Sequence, residues 1–141
     1  MAMEITANAI QTVAANANVL FTDTVTCGNC SISHRDGSGL VTLRGLTNQC
    51  RARYRVSFGG NIAIPTGGTV GPISLAIAID GEPVATTTMI STPAAVEEYN
   101  NVFSAIFLDI PRGCCSQISV KNITDEDIEI QNANLIVERV A

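Results

Sequence analysis

One short stretch restricts the fold more than any other. In Cys50-Arg-Ala-Arg-Tyr-Arg-Val-Ser-Phe, the polar residues Arg51, Arg53, Arg55 and Ser57 alternate with Ala52, Tyr54, Val56 and Phe58. Strict alternation puts every second side chain on one side of an extended chain, so the stretch predicts a strand with one wet face and one dry face. The same period recurs in Ile73, Leu75, Ile77 and Ile79, where Asp80-Gly81 supplies a hairpin-turn dipeptide. Val84 to Ile90 is rich in β-branched residues and predicts the next strand, ended by Pro93. Val102 to Ile110 reads as a long strand halted by Pro111-Arg112-Gly113, with Gln117 to Ile123 as its antiparallel partner. Two segments, Ile128 to Gln131 and Ala133 to Val140, follow the acidic turn at Thr124 to Asp127. Towards the front, Val19 to Val25, Ser31 to His34 and Leu40 to Leu43 are shorter strands split by glycines. Gly59-Gly60 and Gly67-Gly68 bracket Asn61 to Thr66, which is therefore expected as an edge or loop. Many short strands at regular spacing, with no convincing helix, predict an all-β sandwich or barrel.

A length of 141 residues favours one domain. Disorder is excluded by a 46% hydrophobic content with only 15% charged residues. Eight Lys plus Arg against thirteen Asp plus Glu give a net charge of −5, which argues against nucleic acid or an anionic membrane as partner. No apolar run approaches the roughly 20 residues of a membrane helix. The opening Met1-Ala-Met-Glu-Ile-Thr-Ala-Asn has no basic residue ahead of an apolar stretch, so no secretory signal is expected and the chain is expected to stay in a cytoplasm until released. Residues 1–18 read as an extended arm, because Gln11 to Ala14 alternates and Asn disfavours a helix interior, leaving residues 19–141 as the domain.

Catalysis has little to stand on. The single histidine, His34, lies in Ser33-His-Arg-Asp with no triad or nucleophile elbow, and reads as an exposed loop residue; no enzyme and no cofactor are expected. The five cysteines leave three states open. Cys27-Gly-Asn-Cys30, Cys50 and one of the vicinal pair Cys114-Cys115 could supply four thiolates to zinc, with Cys27, Cys30, Cys50 and Cys114 as the set, although a second C-x-x-C is missing. Disulfides among Cys27, Cys30, Cys50, Cys114 and Cys115 could form once the protein leaves a reducing compartment, or the thiols could stay free as small hydrophobes. Arg51, Arg53 and Arg55 form a basic cluster on one strand face, without the interleaved aromatics that stack bases. Two readings of it remain: an interface that pairs with acidic groups of a neighbouring subunit or another protein, and an ordinary solvated face.

The order of strands resembles a known family. Gly39-Leu-Val-Thr-Leu, Arg53-Tyr-Arg-Val-Ser-Phe, Ile73-Ser-Leu-Ala-Ile-Ala-Ile-Asp-Gly-Glu-Pro, Ile106-Phe-Leu-Asp-Ile-Pro-Arg-Gly and Ala133-Asn-Leu-Ile-Val-Glu-Arg are similar to the strands of C1q/TNF-like domains, in particular the bacterial and bacteriophage versions in exosporium glycoproteins and phage surface proteins. Cys27-Gly-Asn-Cys-Ser-Ile-Ser-His-Arg-Asp-Gly-Ser-Gly, Asn48-Gln-Cys-Arg-Ala-Arg-Tyr-Arg-Val-Ser-Phe-Gly-Gly and Ile110-Pro-Arg-Gly-Cys-Cys resemble small proteins of phages and prophages of gut Firmicutes. The resemblance implies an antiparallel jelly-roll β-sandwich that forms a homotrimer. It further implies a structural virion protein that decorates or cements a capsid, or forms a head fibre, with the major capsid protein or another virion protein as partner. A receptor- or glycan-binding module of a phage fibre or spore surface is the alternative. Scarce aromatics and the cysteine set depart from the C1q/TNF pattern.

Overall fold

The computed structural model describes residues 2–26 and 31–141. Twelve strands carry these residues: β1 Ala2–Ala7, β2 Gln11–Val13, β3 Asp23–Thr26, β4 Ile32–His34, β5 Val41–Arg44, β6 Arg51–Ala63, β7 Ile73–Ile79, β8 Glu82–Pro83, β9 Met89–Ser91, β10 Asn100–Pro111, β11 Cys115–Asn122 and β12 Ile128–Arg139. A single 3-10 turn spans Ala85–Thr87. The first sheet runs β10-β6-β12-β1-β3 with β2 also on β12, and the second runs β4-β5-β11-β7-β8 with β9 also on β7; every pairing is antiparallel. No helix among the described residues is long and apolar enough to cross a membrane.

The alternation in β6 does what its period predicts. Ala52, Tyr54, Val56 and Phe58 are fully buried between the sheets, while the three arginines lie on the outer side. Facing them from the second sheet are Val41, Leu43, Leu75, Ile77, Ile118 and Val120, all buried. Phe21 packs edge-to-face on Phe58, with ring centroids 6.3 Å apart. The Tyr54 hydroxyl has a partner despite its burial, donating to the Arg44 carbonyl at 2.6 Å.

Four expectations are corrected. Residues 2–13 are no arm: β1 lies between β12 and β3, and β2 pairs with β12. Met3, Ile5 and Ala7 alternate onto the dry face, and a strand whose apolar side is already phased for the core gains more by pairing than by extending into water. Secondly, the Gly59-Gly60 pair does not end a strand, since β6 continues through Asn61 to Ala63 with β10 on one side and β12 on the other. The glycine instead faces a bulge: the β6–β12 register shifts between Gln131 and Asn134, Asn132 has a φ of 57°, and a Cβ on Gly60 would sit 3.4 Å from the Ala133 Cα. That extra residue keeps Ile128 and Ile130 on the same buried face as Ala133, Leu135 and Val137, so the two segments read from sequence are one strand.

Thirdly, β10 and β11 are not partners. β10 pairs with β6 in the first sheet, and β11 pairs with β5 and β7 in the second, so Pro111-Arg112-Gly113 carries the chain across the sandwich. The turn bonds sideways to Gly45, whose N–H donates to the Cys114 carbonyl at 2.8 Å and whose carbonyl accepts from Gly113 at 3.1 Å. A Cβ on Gly45 would lie 2.2 Å from the Pro111 carbonyl oxygen, so only glycine permits the approach. Lastly, Val84 to Ile90 forms no continuous strand. The Thr87 side chain takes the place of a missing strand partner: its Oγ1 accepts from the Ile77 N–H at 2.9 Å and donates to the Val84 carbonyl at 2.7 Å. The Asp80-Gly81 turn does match its sequence signal, with both residues at positive φ, 52° and 86°.

Two outcomes test this arrangement. Ile5→Ala should destabilise the fold by about 2–5 kcal/mol in denaturant titration, the cost of a buried large-to-small change, whereas an arm residue would leave stability unchanged. Partial burial, and then the hydrogen bond from its hydroxyl to Glu129 at 2.8 Å, push Tyr99 up to about 12. The folded state thus holds that proton more tightly than the unfolded chain does. Its contribution is fully present below pH ~10 and is lost as pH climbs through the folded value. Phenolate absorbance in an alkaline titration should show Tyr99 ionising late, and Glu129→Gln should bring it back towards the ordinary range.

Candidate functional site

The outer face of the first sheet gathers the features that sequence reading singled out, together with two that it missed. Across the ladder, Arg53 stands opposite Asp109, and Arg55 lies between Phe107 on β10 and Glu138 on β12. Arg53 grips Asp109 with two bonds, Nε to Oδ1 at 2.8 Å and Nη2 to Oδ2 at 3.1 Å, and Arg51 approaches the same carboxylate at 3.2 Å. The Arg53 hydrogen bond, reinforced by the charges of Arg53 and Arg51, holds Asp109 below the usual carboxylate range. Arg55 lies 3.9 Å from Glu138. The expected acidic counter-groups are therefore found in the same sheet of the same chain, because directly opposed positions in antiparallel strands bring opposite charges together.

Between these ion pairs the face is apolar. Phe103 and Phe107 on β10 are 63% and 64% exposed, and Ile136 on β12 is 37% exposed. They border two shallow depressions of about 290 and 270 Å³, which share Arg55. Large aromatics left this open on a rigid strand are unusual, since a Phe side chain offers about 150–250 Å² for burial. The signal was present in Val102-Phe-Ser-Ala-Ile-Phe-Leu-Asp, where both phases of the alternation carry apolar residues and so both faces of the strand are apolar.

The other expected sites separate. Cys27 and Cys30 lie outside the described residues, while Cys50, Cys114 and Cys115 are exposed free thiols at the end of the sandwich where the chain crosses between sheets. Among the described residues no group of three or more His, Cys, Asp or Glu is placed to hold a metal ion. His34 is not an exposed loop residue as its sequence context implied. It sits in β4 with its side chain fully buried, edge-on to Phe21 at 6.4 Å, and its Nε2 lies 2.8 Å from the Ser38 carbonyl. A carbonyl can only accept, so Nε2 carries the proton, and Nδ1 has no hydrogen-bond partner. Phe21 and the turn after β4 close over the ring, which no local sequence pattern reveals.

No protein-family model and no curated protein sequence matches the chain. Solved structures do. The globular domain of zebrafish complement 1qA protein superposes with a TM-score of 0.70 at 12% identity, over 99% of this chain and 97% of that one. Eiger TNF from S. frugiperda gives 0.70 at 15% identity, over 100% of this chain and 92% of that one. The PRD1 vertex protein P5 gives 0.50 at 14% identity, over 99% and 96%. At these identities the likeness is one of fold alone. The chain is an all-β antiparallel jelly roll of the C1q and TNF type.

Proposed function

We propose that this is a structural protein of a virion surface, a homotrimer closed through the outer face of the first sheet that decorates or cements a capsid or forms a head fibre. It is assembled in the host bacterial cytoplasm and ends on the particle, against the major capsid protein or another virion protein. The open face formed by Phe103, Phe107 and Ile136 is the observation that carries the proposal. Apolar area removed from water is worth about 25 cal/mol per Å², so two such aromatics per subunit are a strong drive to associate. The flanking charges are largely matched within the subunit, Asp109 being shared by Arg51 and Arg53 and Glu138 facing Arg55, which leaves one positive charge over. A neighbour covering them therefore has a single positive charge left to match. A three-fold cluster of small subunits suits local three-fold positions of a shell. The fold shared with the PRD1 vertex protein supports the virion assignment.

The second reading, a receptor- or glycan-binding module of a phage fibre or spore surface, is favoured by an outward polar row on the opposite sheet, Ser33, Thr42 and Gln117, in which the Thr42 and Gln117 side chains have no partner among the described residues.

Light scattering on the eluting protein should give three times the subunit mass, and the double substitution Phe103→Ser with Phe107→Ser should give the subunit mass with the β-sheet circular dichroism of the folded chain retained. A variant that stays trimeric would remove this face from the interface. Quantitative mass spectrometry of purified virions should find copies that scale with the major shell protein. A handful of copies per particle, or none, would overturn the decoration role.

A further inference from the structure

The outer face of the second sheet carries a row of outward polar side chains. Ser33 of β4 stands opposite Thr42 of β5, and Thr42 stands opposite Gln117 of β11. Their chain neighbours Ile32, Leu43 and Ile118 are buried, so the three polar side chains point outward in one row across three hydrogen-bonded strands. Strands lie about 4.8 Å apart. That pitch is close to the separation of equatorial hydroxyls on alternate carbons of a pyranose ring. Together with Arg35, Ser38 and Leu40, the row lines a depression of about 330 Å³, ample for a sugar ring.

The row has free bonding capacity. On the outer face of the first sheet, by contrast, Arg53 bonds Asp109 and Asn101 bonds Asn61. In the depression the Thr42 hydroxyl, the Gln117 amide and the Arg35 guanidinium have no such partner among the described residues. Ser33 Oγ accepts from Arg44 Nη1 at 3.2 Å, which leaves its own proton to donate. Ser38 Oγ is taken by the Leu40 N–H at 3.1 Å. Among the described residues no carboxylate lines the depression, and the nearby Asp36 is engaged by the Thr24 hydroxyl at 2.7 Å. Because the strand ladder already fixes the row, little order has to be imposed when a ligand arrives.

We propose that this depression binds a saccharide bearing a carboxylate. Ser33, Thr42 and Gln117 bond the ring hydroxyls, Arg35 takes the carboxylate through paired N–H donors, and Leu40 covers an apolar edge of the ring. The proposal rests on the glycan-binding reading and is independent of the trimer and of the capsid. Titrating sodium glucuronate into isotopically labelled protein, with glucose as the neutral comparator, should give saturable amide shifts centred on Arg35, Thr42 and Gln117. Arg35→Ala should weaken glucuronate at least about tenfold while leaving the unfolding midpoint unchanged, and Thr42→Val and Gln117→Ala should weaken it in the same direction. Absence of saturable shifts at tens of millimolar, equal affinity for glucose, or full binding by Arg35→Ala would overturn it. Binding of the protein to host cells that survives Arg35→Ala would remove the site while leaving the glycan-binding reading standing.

Discussion

The main-chain ladder on both sides of β6 is the constraint on which the rest of the molecule depends. The strand is 13 residues long and bonds to β10 along one edge and to β12 along the other. Its pleat therefore dictates which residues of both neighbours face inward. One phase sets Tyr54, Val56 and Phe58 into the core, and the other aligns Arg53 with Asp109 and Arg55 with Glu138. A slip of a single residue would exchange these sets, burying arginines and exposing aromatics, at a cost far above the marginal stability of a domain this size. The bulge at Asn132 shows how tightly the phase is held. β12 accepts a residue at positive φ so that its two halves can both obey β6.

Legibility followed the length of the alternation. β6 as far as Phe58 and β7 were readable from their unbroken period, and the Asp80-Gly81 turn from its dipeptide. The class, an antiparallel sandwich, followed from their number. Failures arose where a local pattern has two tertiary outcomes. Pro111-Arg112-Gly113 is as good a hairpin as a crossover, and what decides is the non-local contact with Gly45, 66 residues earlier. A β-branched run such as Val84 to Ile90 can be a strand or a turn whose threonine substitutes for one, and Thr87 takes the second course. Likewise Met3 to Ala7 is too short to announce itself, yet its partners lie at the other end of the chain.

For the candidate site the arginines were visible and their meaning was not. Alternation places charges on a face, but it does not say that Asp109 stands opposite Arg53; that needs the β6–β10 register. Once paired within the sheet, these charges frame an apolar patch instead of forming a basic one. Exposed ion pairs add little to stability. Their effect here is on association, since a face whose charges are mostly matched internally loses less on desolvation than one bearing three unpaired arginines.

The sheet order also bears on how the subunit comes into being. β1 is held between β3 and β12, and β6 also needs β12. The first-made strand therefore has no complete set of partners until Ile128–Arg139 has left the ribosome. Until then β1 and β6 present open apolar edges, and closing the sheet requires contacts that span nearly the whole chain, the kind that folds slowly and is open to aggregation meanwhile. Completion of the first sheet thus waits on β12, the one neighbour that β1 and β6 share.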